Sequence, residues 1–421
     1  MTAPDTGLAM KHLHEAVTRE RAGDYERALR AAQEALSAFA TARDRTGSAA
    51  AHHLLAILQA HLGRPDKALE HLDAAAPLRE STGDWAGLAS LHQMRFEVAL
   101  GLGNYAGCRA AAESMLAALA KVGDRPGQAS ALHQLAQILV GSGQVQDAQS
   151  LVEQGLWLTD GVGEERGRSA FLLLAAQVDQ LTGSGDRALL RCREALRLAR
   201  SANSRPAVVD ALHQLGVQLA IAGLLHESAE RLEEALDGRE VLRDLNGRAA
   251  TLTELAAVEE RLGRASDAIG RLRYAARTYH ELDQPGGALE ALHRAAEIAL
   301  AAERGDEALQ LSSEQLHVAE SSGDPAATAA ASFVHGARLA RLGDTAASAE
   351  PFRRAAALQR SLGLPEAAAV SDGMLGQVLL AQGQMIEGAA LLHGAYKALR
   401  ALGSPNADDL HELISALGEP S

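Results

Sequence analysis

The chain has 421 residues and a formal charge of −14, from 54 acidic against 40 basic residues, so it lacks the basic excess that grips phosphate backbones, and direct nucleic-acid binding is not expected. Hydrophobic residues reach 47% while aromatics are only 3%, leaving an apolar content of mostly Ala, Leu and Val, which favours helices. Cys108 and Cys192 are too few and too far apart for a disulfide framework or a metal knuckle.

At the N-terminus, MTAPDTGLAMKHLHEA has no charged head followed by an apolar core, and no run of about 18 apolar residues follows anywhere, so a cytoplasmic protein without a membrane partner is expected. The next stretch, AGDYERALRAAQEAL, opens a pattern that recurs every 40 residues. Gly23, Gly63, Gly103, Gly143, Gly183, Gly223, Gly263, Gly343 and Gly383 share one phase, broken only by Glu303 in the eighth slot. Five residues after each slot stands a small residue: Ala28, Ala68, Cys108, Ala148, Ala188, Ser228, Ala268, Ala308, Ser348 and Gly388.

Half a period later runs a second comb, Gly83, Gly123, Gly163, Asn203, Gly323, Gly363 and Gly403, with Pro126, Pro206, Pro285, Pro325, Pro365 and Pro405 close behind. Glycine ends a helix by accepting a left-handed backbone, and proline suits the first turn of the next helix, so each period reads helix, turn, helix, turn. Between the combs, Ala131, Leu132, Leu135, Ile138 and Leu139 recur at spacings of three and four, as do Val145, Ala148, Leu151, Val152 and Leu156. One hairpin cannot bury both faces alone, and stacked hairpins can.

The small residues Ala136, Gly216, Gly336 and Gly376, the turn glycine seven residues later and the small residue five beyond that resemble the tetratricopeptide signature over essentially the whole chain. The resemblance implies an all-α, right-handed solenoid of about ten helix-turn-helix hairpins over residues 1–403, with a C-terminal capping helix and tail over 404–421. The long period is similar to the repeats of bacterial signalling regulators of the maltose-activator type and of animal adaptors that bind G-protein subunits. Such regulators commonly attach nucleotide- or DNA-binding domains. The chain has room for neither, so a free-standing module is expected. In the last segment Leu410, Leu413, Ile414 and Leu417 share one face, which suits a cap starting near Ser404 and Pro405.

No phosphate loop, HExxH pair, GxSxG elbow or CxxC occurs, so no catalytic, metal or cofactor site is expected. His53, His133, His213 and His293 share one phase in alternate repeats. The resemblance places that phase on the concave groove, where first helices about 8–10 Å apart would hold these histidines too far from one another to share a metal. Gln93, Glu97, Gln137, Gln177, Asp210, Thr253, Arg261 and Glu297 complete the candidate groove set. Amides and histidines can both donate and accept, which suits an extended peptide or a polar helix; a solvated face, with histidines serving local packing, is the alternative. The Lys and Asn clamp of chaperone adaptors is absent, which disfavours a chaperone-tail ligand.

His12, His52 and His92 take a slot where later repeats carry Leu132, Leu172, Leu212, Leu252 and Leu292. Partly buried structural histidines are expected there, in hairpins that are more polar or shifted by one residue, with pH sensing as the alternative. Both cysteines are expected to be small buried hydrophobes, and Trp85 and Trp157 to pack in the core or at its rim. The functional expectation is a non-catalytic scaffold or regulator that binds a protein or peptide in the groove. A sensor for a small signalling peptide or metabolite is the alternative, and a helical-repeat enzyme a distant third. Nothing in the sequence opposes self-association.

Overall fold

A computed structural model describes residues 6–161 and 163–416. Among them the helices run α1 (Gly7–Arg21), α2 (Tyr25–Ala42), α3 (Arg45–His61), α4 (Pro65–Thr82), α5 (Trp85–Gly101), α6 (Tyr105–Val122), α7 (Arg125–Gly141), α8 (Val145–Leu158), α9 (Glu165–Leu181), α10 (Gly185–Ser201), α11 (Arg205–Ile221), α12 (Leu225–Leu242), α13 (Leu245–Arg261), α14 (Ala265–Glu281), α15 (Pro285–Ala301), α16 (Gly305–Ser321), α17 (Pro325–Arg341), α18 (Thr345–Ser361), α19 (Pro365–Ala381), α20 (Met385–Ala401) and α21 (Asn406–Ala416). They form successive hairpins, odd-numbered helices first, grouped into two units, residues 1–214 and 215–421, whose boundary falls within α11.

Local chemistry sets the helix ends. Asp44, Asp84, Asp124 and Asp244 each accept a hydrogen bond at 2.9 Å from the backbone N–H of a glycine three residues on, capping α3, α5, α7 and α13. Pro65, Pro126, Pro285, Pro325 and Pro365 sit in first turns, where a missing N–H is harmless. Both turn combs are left-handed throughout, and the non-glycine residues Arg43, Asn203, Arg243, Asp283 and Glu303 take the same conformation, Glu303 at φ 60. A side chain in that region carries strain that glycine avoids. Glu303→Gly is therefore expected to raise stability by roughly 0.5–1 kcal/mol in urea titrations; a loss of stability would show that the turn is unstrained.

Packing follows the small-residue slot. Ala28, Ala68, Cys108, Ala148, Ala188, Ser228, Ala268, Ala308 and Ser348 are all 0% exposed, each at the crossing of its own hairpin. A Cβ added to Gly216 would lie 2.6 Å from Leu232, and the buried Ser228 hydroxyl donates to the Gly216 carbonyl at 2.7 Å. Both cysteines are buried, and burial pushes the Cys192 thiol up to about 12.

The N-terminal histidine slot is not shifted. His52 and His92 are half-buried where Leu132, Leu172, Leu212, Leu252 and Leu292 are buried, and Leu55, three residues after His52, stays fully buried in register. His12, also half-buried, lies 3.1 Å from Glu34. Trp85 packs on the core of α3 to α7 with Lys121 over its ring, whereas Trp157 is 71% exposed and packs only at the rim, under the Arg125 guanidinium. At the C-terminus α21 covers α19 and α20 with Ala407, Leu410 and Ile414. Leu413 does not join that face and is 41% exposed, and Leu417 lies outside the described residues.

Candidate functional site

All twelve candidate groove residues lie on first helices, from His53 on α3 to Glu297 on α15. The structure brings only some of them together. In the first unit, α8 stops at Leu158 after 14 residues where α6 and α10 run 18 and 17. Thr159, 1% exposed, ends it by donating its hydroxyl to the Gly155 carbonyl at 2.8 Å. Arg125 then holds the Leu158 carbonyl at 3.0 Å, and Arg168 pairs with Asp160 at 2.8 Å. Gly155 makes room for Phe171, since a Cβ there would sit 2.0 Å from its ring.

The shortened helix leaves a cavity of about 820 Å³ against the N-terminal halves of α7, α9 and α11, within the range of small-ligand pockets. His133, Gln134, Glu164, Phe171, Ser204 and Asp210 are among its walls. His133 stands edge-on to Phe171, 5.5 Å between centroids, and hydrogen-bonds the Ala170 backbone. Burial lowers its pKa and the Ala170 bond opposes that, so the ring is neutral at pH 7. The Gln134 Oε1 is buried and, among the described residues, without a hydrogen-bond partner. The pocket thus sets the acceptors of Gln134 and Glu164 beside the apolar side chains of Ala129, Ala170 and Phe171, with Arg166, Ser130, Ser169 and Ser204 also in its lining.

Elsewhere on the first helices of this unit, His53, Gln93 and Glu97 are engaged by neighbouring side chains. His53 Nδ1 accepts from Arg79 at 3.2 Å, and burial reinforced by that cation lowers its pKa to about 4. Gln93 donates to Glu97 at 2.9 Å. Gln137 is exposed, Gln177 and His213 are half-buried, and Asp210 is exposed at the pocket's α11 side.

In the second unit, Thr253 donates its hydroxyl to the Ala249 carbonyl and Arg261 donates to the Ala220 carbonyl at 2.7 Å. His293 and Glu297 come together around Arg338, which is 3% exposed: its guanidinium reaches His293 Nδ1 and Glu297 Oε1, each at 2.9 Å, and Gln315 Oε1 at 3.2 Å. This charge is buried and fully partnered, as burial of a charge demands. Desolvation and Arg338 depress the His293 pKa, with Glu297 and Glu290 opposing.

The four in-phase histidines therefore do not act as a set: His133 lines a cavity, His53 and His293 accept from arginines, and His213 stands on α11. Sequence reasoning missed Gln134, Glu164, Phe171 and Arg338. The signal for the first three was the glycine cluster Gly155, Gly161 and Gly163, which interrupts an otherwise even second helix.

No family model matches the chain, and no curated protein matches it by sequence. Solved structures do. The apo form of RapI superposes with a TM-score of 0.52 at 14% identity, covering 85% of this chain and 98% of that one. A Signal Transduction ATPase with Numerous Domains from Pyrococcus horikoshii, which carries a tetratricopeptide repeat sensor, superposes with a TM-score of 0.54 at 13% identity, covering 82% of this chain and 54% of that one. At these identities the likeness is one of fold. Successive hairpins with small residues at every crossing, left-handed turns in phase and these neighbours together give the chain an all-α fold of the tetratricopeptide-repeat type.

Proposed function

We propose that the chain is a non-catalytic interaction module that holds a peptide or protein segment on the face made by its first helices, with the pocket beside His133 as its anchor. The observation that carries this reading is the pocket itself, where a neutral histidine, the buried Gln134 acceptor and the Glu164 carboxylate stand beside the apolar side chains of Ala129, Ala170 and Phe171 in a mixed polar and apolar lining. An extended segment donates backbone N–H groups to such acceptors while one apolar side chain fills the cavity.

The same volume favours a second reading, a sensor that closes on a small peptide or metabolite. The fold is shared with a protein whose repeats are described as a sensor.

A photo-crosslinking residue at position 137, exposed on α7 next to the pocket, tests the first reading. The expected result is a crosslinked partner segment identified by mass spectrometry, with capture falling at least tenfold when His133, Gln134 and Gln177 are replaced by Ala. Unchanged capture in that variant, with its helicity intact, would refute the reading. Scattering that shows the chain contracting around a small molecule, with no segment crosslinked, would favour the sensor.

A further inference from the structure

We infer that His52 and His71 form a two-histidine site for a divalent first-row transition metal that clips α3 to α4. The Nδ1 atoms of the two rings lie 3.1 Å apart, with ring centroids at 5.3 Å. Two imidazole nitrogens bound to one ion at about 2.0–2.1 Å, with angles between octahedral and tetrahedral, stand about 2.9–3.4 Å apart. The pair is already spaced as two ligands of one ion, so binding needs little rearrangement of either helix.

In the apo protein that spacing is held by an N–H···N hydrogen bond, which needs one ring protonated on Nδ1 and the other on Nε2. On binding, the first ring's proton moves from Nδ1 to its own Nε2 through solvent, both Nδ1 lone pairs face the ion, and no net proton is released at neutral pH. Both rings are in the neutral state that ligation requires, since burial depresses both pKa values, His71 further depresses that of His52, and Glu70 opposes the shift at His71.

The surroundings limit the site to two protein ligands. His53, beside His52 in sequence, is committed to Arg79, and Asp73 on α4 is committed to Arg95. Among the described residues no group of three or more His, Cys, Asp or Glu is placed to hold an ion. Both rings are half-buried, so water reaches the remaining coordination positions. A clip across one hairpin would stabilise the helix that also presents His53, which adds a metal-dependent brace to this end of the first unit.

The test adds Cu²⁺, Ni²⁺ or Zn²⁺ chloride to the full chain at pH 7.5. The expected result is a rise in unfolding temperature that grows with metal concentration and is largest for Cu²⁺, following the usual order of affinities. At one equivalent, the Cu²⁺ paramagnetic resonance spectrum should show two equatorial imidazole nitrogens. His52→Gln and His71→Gln should each weaken the tightest binding at least tenfold, and His53→Gln should leave it unchanged. Equal binding by wild type, H52Q and H71Q would overturn the proposal. So would a wild-type spectrum showing one nitrogen, which keeps the test decisive even if a variant fails to fold.

Discussion

Lowering the pH from 7 to 4.5 should unfold the first unit ahead of the second. His52, His53, His71, His92 and His133 in the first unit all have depressed pKa values, with burial as the largest cause in each, while the second unit holds His293 and His335 in that state. A histidine whose folded pKa lies below its unfolded value of about 6.5 contributes stability above pH 6.5 and loses it as pH falls toward the folded value. For His53 that window runs from about 6.5 down to about 4, and the full difference is at most about 3.5 kcal/mol. The ring resists protonation because it is buried and already accepts from the Arg79 guanidinium; a proton on Nδ1 would break that bond and set two cations 3.2 Å apart.

Trp85 and Trp157 both belong to the first unit, so their fluorescence reports its unfolding while far-ultraviolet circular dichroism reports both units. On acidification the fluorescence transition should come at higher pH than the dichroism midpoint. His53→Gln, which keeps an acceptor for Arg79 and cannot take a proton, should flatten the acid slope of the fluorescence curve. Coincident transitions, or an unchanged slope in the variant, would refute the account.

Turn geometry and hairpin crossings could be read from the sequence because each depends on one residue type at one phase. Glycine announces a left-handed turn, and the turn at Glu303 follows from the frame around it even though glycine is missing. The crossings announce themselves by size alone. The pocket could not be read in the same way, because it arises from a helix that stops early, and GLWLTDGVGEE keeps apolar spacing almost to the stop. The arginine contacts escaped for another reason. Arg338 meets Glu297 41 residues and His293 45 residues away in sequence, and which side chains bridge successive hairpins depends on reach and rotamer rather than on phase. Phase placed the twelve candidate residues on first helices without telling a pocket wall from an arginine partner.

Gly376→Val is expected to cost about 3 kcal/mol and to melt the C-terminal hairpins first. The α19–α20 crossing is glycine on glycine: a Cβ at Gly376 would lie 2.9 Å from the Gly388 carbonyl oxygen, and one at Gly388 would lie 2.8 Å from the Gly376 oxygen. The obstruction is backbone on both sides, so no side chain can rotate away, and the helices must separate at the cost of the Leu392, Ala395 and Leu399 contacts that α21 covers. Helix propensity pushes in the opposite direction, because valine is a better helix former than glycine by a few tenths of a kcal/mol. The sign of the measured change therefore separates packing from propensity. Gly394 on α20 is the internal control: nothing lies within 4 Å of a Cβ added there, so Gly394→Ala should stabilise by roughly 0.5–1 kcal/mol. Because each repeat contacts only its neighbours, hydrogen exchange should show protection lost in α19, α20 and α21 and retained in α13 to α16. A stabilised Gly376→Val, or a uniform loss across the second unit, would show that the close crossing does not carry the stability of that hairpin.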